Sequence, residues 1–225
     1  MGEHRSKNLR LWQLADSAFP GGGFAHSGGL EAAWHYREVT NANELTDFIR
    51  ASLGQLRHGT LPFVKAAHQE EEDFETLDHL CDSFTTNHVT NRASRAQGQA
   101  LLGSAHRIFQ VEALTELRSF VLQHESPGHL APVFGAVTAH LDCCLAETCE
   151  LFVFMQLRGW VSAAVRLGII GPLEGQAIQH RLVDPAEALI HELDELNLDN
   201  ISQTAPLLDL FQGGHDRVYA RLFQS

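Results

Sequence analysis

An all-α fold, a single-domain bundle of roughly ten helices around a central apolar helix, follows from three observations. Apolar residues recur at three- and four-residue spacing along nearly the whole chain. Those runs are punctuated by Pro, Gly and Asn/Ser/Thr clusters such as Phe19-Pro20-Gly21, Ser126-Pro127-Gly128 and Gly171-Pro172. No alternating stretch of strand length interrupts them. With 225 residues, 44% of them hydrophobic, the chain suits one large domain with a sizeable core.

Residues 1–7 are polar and expected to fray or stay disordered. A first helix over 8–18 carries Leu11, Trp12, Leu14 and Ala15, and Pro20 stops it. Five glycines within residues 21–29 make a turn that presents bare backbone. Residues 24–36 read as a second helix on Phe24, Leu30 and Trp34. Asn41 with Glu44 approximates a capping box before a helix on Leu45, Phe48, Ile49, Leu53 and Leu56. His58-Gly59-Thr60 breaks it, and Pro62 suits the first turn of a fourth helix reaching Ala67.

Residues 69–82 hold seven acids and no Lys or Arg, yet Phe74, Leu77, Leu80 and Cys81 keep helical spacing. A bend at Thr85-Thr86-Asn87 precedes a small-residue helix over 91–110 and another over 111–123. Helices over 132–145 and 146–167 follow, the second apolar on nearly all sides and so the expected centre of the bundle. An amphipathic helix over 182–196, starting near Pro185, and a short one over 206–211 complete the body. After Gly213-Gly214 the tail offers Val218/Leu222 and Tyr219/Phe223 as two i,i+4 pairs. So short a helix is marginal in water, so a hinged tail over 213–225 that orders on a partner is the expectation.

Charge excludes one class of function. The net charge is −12 and lysine occurs only at Lys7 and Lys65. A chain without a basic run is a poor nucleic-acid binder. The segment 151–170 is long enough to span a bilayer, but Arg158 and Arg166 within it argue for a soluble bundle instead. Four cysteines with no Cys-x-x-Cys pair, two of them adjacent, point to a reducing cytoplasm. The polar start carries no secretory h-region.

Metal and catalytic chemistry are thinly represented. No two of the fourteen histidines lie three or four apart. His140 with Cys143 and Cys144 has i,i+3 and i,i+4 spacing and is the best local metal candidate, though packing explains those cysteines better. Gly23 to Leu30 has the gap of a phosphate loop, but Gly29 and Leu30 stand where Lys and Ser/Thr are needed. Ser27 with His26 suggests a hydrolase, with Ser17 and Glu31 nearby, yet no complete nucleophile–base–orienter set can be placed. Arg95 and Arg166 fall in small-residue or apolar runs, where an internal ion pair is the expected partner.

The run Ala-Asp-Ser-Ala-Phe-Pro-Gly-Gly-Gly-Phe-Ala-His-Ser-Gly-Gly-Leu-Glu-Ala-Ala over residues 15–33 resembles the N-terminal signature of the urease accessory protein UreF family. Residues 94–102 (SRAQGQALL), 129–135 (HLAPVFG), 161–168 (VSAAVRLG) with Ile170-Gly171-Pro172 and Gly175-Gln176, and the tail 215–225 (HDRVYARLFQS) resemble further segments of it. Asp216 stands where the family more often has Glu. The resemblance implies a non-enzymatic, dimeric adaptor in urease maturation. Such an adaptor binds UreD (also called UreH), recruits the GTPase UreG and docks on apo-urease. Nickel and GTP are then handled by partners, with no cofactor bound directly. Tyr219, Arg221, Leu222 and Phe223 are the expected UreD contacts; Ser17, Phe19, His26, Ser27, Glu31 and Arg166 are candidates for a dimer or GTPase surface. A direct nickel carrier using His140 and a small hydrolase using Ser27 are the alternatives.

Overall fold

The computed structural model describes residues 3–191 and 193–225, with side chains from Leu9 onward. Among the described residues twelve α-helices run in order: α1 Glu3–Ala15, α2 Leu30–His35, α3 Ala42–Gly59, α4 Leu61–Gln69, α5 Phe74–Phe84 and α6 His88–Phe109; then α7 Glu112–Gln123, α8 Leu130–His140, α9 Leu145–Arg166, α10 Pro172–Arg181, α11 Val183–Ala188 and α12 Pro206–Gly214. No strand occurs among the described residues. The expectation of disorder over residues 1–7 bears partly on Met1 and Gly2, which lie outside that description.

Local chemistry sets the helix starts. Asn41 accepts from the backbone N–H groups of Asn43 and Glu44 at the head of α3. Glu44 reaches back chiefly to Thr40, 2.7 Å from its backbone N–H, one residue before the cap. Asp73 caps α5, Asn87 caps α6, and Cys144 with Glu147 forms a box at α9. Pro62 and Pro172 sit in first turns, where no donor is missed.

The core lies where α8 crosses α4 and α6. Glycine permits that approach: a methyl on Gly135 would lie 2.2 Å from the Val64 carbonyl oxygen, and one on Gly98 2.1 Å from that of Gly128. Phe63, Phe134 and Phe152 are fully buried there, Phe134 meeting Phe152 edge-on at 5.0 Å. Each such ring contributes about 1.5–3 kcal/mol by leaving water. α9 is the hub, touching α1, α2, α3, α4, α8, α10 and α11. α8 is the more enclosed helix, buried from Ala131 through Thr138. No helix among the described residues is long and apolar enough to cross a membrane.

Several boundaries depart from expectation for local reasons. Residues 24–36 are not one helix: a single 3₁₀ turn at Gly23–Ala25 ends at His26, and α2 starts only after Gly28 and Gly29 take positive φ. The expected helix over 182–196 breaks after Ala188 into turns, resuming briefly as 3₁₀ at Leu193–Glu195. Gly213 and Gly214 are no hinge; they form the last turn of α12. The tail beyond is not helical past a 3₁₀ turn at His215–Arg217.

Candidate functional site

The Gly-rich segment between α1 and α2 and the tail come from opposite ends of the chain and meet. Gly28 and Gly29 are needed where they stand. A methyl on Gly28 would lie 2.7 Å from the Trp160 indole nitrogen, and one on Gly29 2.8 Å from Gln212 Cγ. Their turn aims Ser27 and the first residues of α2 inward, so Ser27 and Glu31 are each only 1% exposed.

Residues 218–225 lie across this surface as an irregular strap that bends at Tyr219-Ala220 and Leu222-Phe223. The Gln224 N–H donates to the Ala25 carbonyl at 2.7 Å, and the Ser27 N–H donates to the Ser225 carbonyl at 2.6 Å. The Ser27 hydroxyl donates to that same carbonyl, and His26 Nδ1 bonds the Ser225 hydroxyl at 2.5 Å. Glu31 is the keystone. One carboxylate oxygen accepts from the Leu222 N–H at 2.5 Å; the other takes the Phe223 N–H and His215 Nε2 at 2.9 Å. A buried carboxylate with three donors is stably held, whereas the same group unpaired would cost several kcal/mol.

Arg166 locks the strap from the α9 side. Its guanidinium lies 3.9 Å from the Phe24 ring centroid and 4.1 Å from that of Phe223, and it donates to the Phe24 carbonyl. The expected internal ion pair is therefore replaced by two aromatic faces and a carbonyl. Arg95 is exposed on α6 rather than buried. At the strap's root Asp216 accepts from Arg92, His88 and Arg221, and the Arg92 guanidinium holds its carboxyl below the usual range.

The strap's two sides differ. Val218 and Phe223 are buried, so Phe223 is turned into this domain and not outward as expected of a partner contact. Tyr219 is fully exposed, Leu222 is 53% exposed, and Arg221 and Phe24 also face water. The expectation of a tail ordered only by a partner thus meets a tail already laid down on its own domain. Behind it lies a cavity of about 840 Å³ walled by Phe19, Gly22, Gln97, Trp160, Arg166 and Phe223. Ser17 is exposed at its edge, and Phe19 stacks on Phe109 at 6.1 Å.

Two chemical expectations change. α8 ends at His140 and the chain turns through Asp142 at φ 59°. His140, Cys143 and Cys144 therefore do not share a helix face. Cys144 serves as the α9 cap, and burial pushes the Cys143 thiol up to about 11, away from the thiolate a metal needs. No group of three or more His, Cys, Asp or Glu suited to a metal ion is gathered among the described residues. Ser27 and His26 both serve Ser225, so they do not form a nucleophile–base pair with each other.

Of the two buried carboxylates, sequence reasoning named Glu31 only as a candidate surface residue and missed Asp78. Glu31 sits between Leu30 and Ala32-Ala33, an acid in a wholly apolar turn. Asp78 is fully buried on α5, accepting from the Ser126 hydroxyl and the N–H groups of Gly128 and His129 at 2.6–2.8 Å. His129 in turn bridges Asp82 and Ser94, whose hydroxyl accepts from the Leu130 N–H at the head of α8.

The sequence profile of the UreF family matches residues 39–183 of this chain. A protein of Oryza sativa subsp. indica named urease accessory protein F is 38% identical over 94% of this chain and 83% of its own length. One of the same name from Arabidopsis thaliana is 37% identical over 95% of this chain and 91% of its own. Urease accessory protein UreF of Paenarthrobacter aurescens (strain TC1) is 28% identical over 96% of this chain and 97% of its own.

Proposed function

The chain belongs to the UreF family of urease accessory proteins, and from that premise we propose that it works as an adaptor without a reaction centre. In this reading a homodimer in the cytoplasm binds UreD/UreH, recruits the GTPase UreG and brings both to apo-urease for GTP-dependent nickel insertion. Nickel and GTP stay with the partners. The observation that supports it best is the strap: its backbone is fixed by Glu31 while Tyr219 and Leu222 are left bare in water. Exposed aromatic and aliphatic side chains on an ordered backbone are what a protein partner reads, because little ordering entropy remains to be lost on binding.

Urease made in cells lacking this gene product tests the reading. That urease should be nickel-poor and inactive, restored by the wild-type chain and not by the chain with Tyr219→Ala and Leu222→Ala together. Nickel-replete urease without the gene product would contradict the adaptor role. Purified chain that binds one tight Ni²⁺, lost on changing His140, would replace the adaptor with a carrier.

A further inference from the structure

The chain carries sixteen lysines and arginines against twenty-eight acids, yet one helix reverses the balance. Residues 83–111, which contain α6, hold Arg92, Arg95 and Arg107 and no Asp or Glu. At the helical repeat, His88, Arg92, Arg95, Gln99, Gly103 and Arg107 fall on one side of α6. His88 and the three arginines are exposed there. α7 adds a further cation: the half-buried Arg118 guanidinium carbon lies 3.9 Å from where a methyl on Gly103 would stand. At 1.5 Å rise per residue, the stripe from Arg92 to Arg107 is about 22 Å long. Its first position is filled by a carboxylate. Asp216 lies on the Arg92 fork, one oxygen 2.9 Å from Nη2 and the other 3.3 Å from Nη1, with His88 at 3.2 Å. Arg95, Arg107 and Arg118 have no carboxylate within ion-pair distance among the described residues. Opposite charges three or four residues apart steady an exposed helix, and like charges so spaced do the reverse. The stripe therefore does nothing for α6 itself, and the tail shows what it accepts.

We propose that the α6 stripe docks an acidic segment of a partner protein, whose carboxylates take Arg95, Arg118 and Arg107 as Asp216 takes Arg92. A guanidinium fork matches a carboxylate in two parallel bonds, and several such pairs along one face fix register as well as orientation. A nucleic-acid strand fits less well. Residues 88–108 hold no Phe, Tyr or Trp for bases to stack on, and a chain of net charge −12 repels a long polyanion running past the stripe. A short acidic segment stays on the stripe. At physiological salt the screening length is about 8 Å, so acids elsewhere on the chain are largely hidden from it. This docking face is a different element from the strap's outer side, and it stands whether or not the adaptor reading holds.

The probe is a fluorescein-labelled helical peptide of alanine and glutamate, with glutamates on one face at three- and four-residue spacing over about four turns. Its anisotropy in about 50 mM salt should report one site on the full chain. Arg95→Glu with Arg107→Glu should weaken binding at least about tenfold. Arg50→Glu with Arg181→Glu reverses two exposed arginines on other helices and gives the same net charge, so it should change binding less than about twofold. Equal losses in the two variants overturn the proposal, as does a wild-type chain that does not bind the peptide. A thymidine dodecamer that binds more tightly than the peptide also overturns it. Should the Arg95, Arg107 charge reversal lose helical circular dichroism, Arg95→Gln with Arg107→Gln decides, read against Arg50→Gln with Arg181→Gln by the same criterion.

Discussion

Two buried carboxylates do the same chemistry in different places. Asp78 accepts from Ser126, Gly128 and His129, binding α5 to the turn that launches α8. Glu31 accepts from His215, Leu222 and Phe223, binding α2 to the strap. Each takes two backbone N–H groups and one side chain. The difference is what lies on the far side. Behind the Asp78 turn stand Gly98 and the packed faces of α6 and α8; beyond the strap stands water. The same triple hydrogen bond therefore holds up the fold in one region and holds a surface strap in the other.

That contrast breaks first at Asp78. Asp78→Ala leaves two amides and a hydroxyl unpaired in the core and should cost about 3–5 kcal/mol of global stability, read by urea melts with full-chain circular dichroism. Gly98→Ala should cost about as much, since its methyl would press on the Gly128 carbonyl. Glu31→Gln should cost roughly 1–2 kcal/mol or less globally, because the strap frees itself and its amides find water. Its mark should instead be trypsin cleavage after Arg221, a bond adjacent to backbone that Glu31 holds in the wild type. Equal losses in Asp78→Ala and Glu31→Gln would erase the distinction between the regions. Arg166→Gln removes two ring contacts and should loosen the strap by about 1 kcal/mol, visible as faster cleavage at the same bond. Tyr219→Ala should leave stability within about 0.5 kcal/mol, because nothing in the domain covers that ring.

Legibility in the sequence followed the same divide. The bundle could be read because its helices advertise themselves locally, through the cap at Asn41, the first-turn proline at Pro62 and apolar periodicity in α3, α5 and α9. The site could be located but not resolved. Residues 15–33 and 215–225 were both singled out by their residues, yet their meeting depends on pairs such as Ser27 with Ser225, whose separation no local pattern encodes. The tail's i,i+4 pairs suggested a helix; the irregular path wins because Glu31 and the Gly-rich turn supply backbone partners that a helix would satisfy internally. His140, Cys143 and Cys144 failed for the opposite reason: helical spacing was assumed across a turn at Asp142.

The account's central claim is that the working surface is the outer side of a strap ordered in advance. Titration calorimetry of the full chain against purified UreD, comparing wild type with the Tyr219→Ala, Leu222→Ala double variant, tests it most directly. Affinity at least about tenfold weaker, with an unchanged thermal midpoint, is the predicted result. An affinity equal to that of the wild type would contradict it.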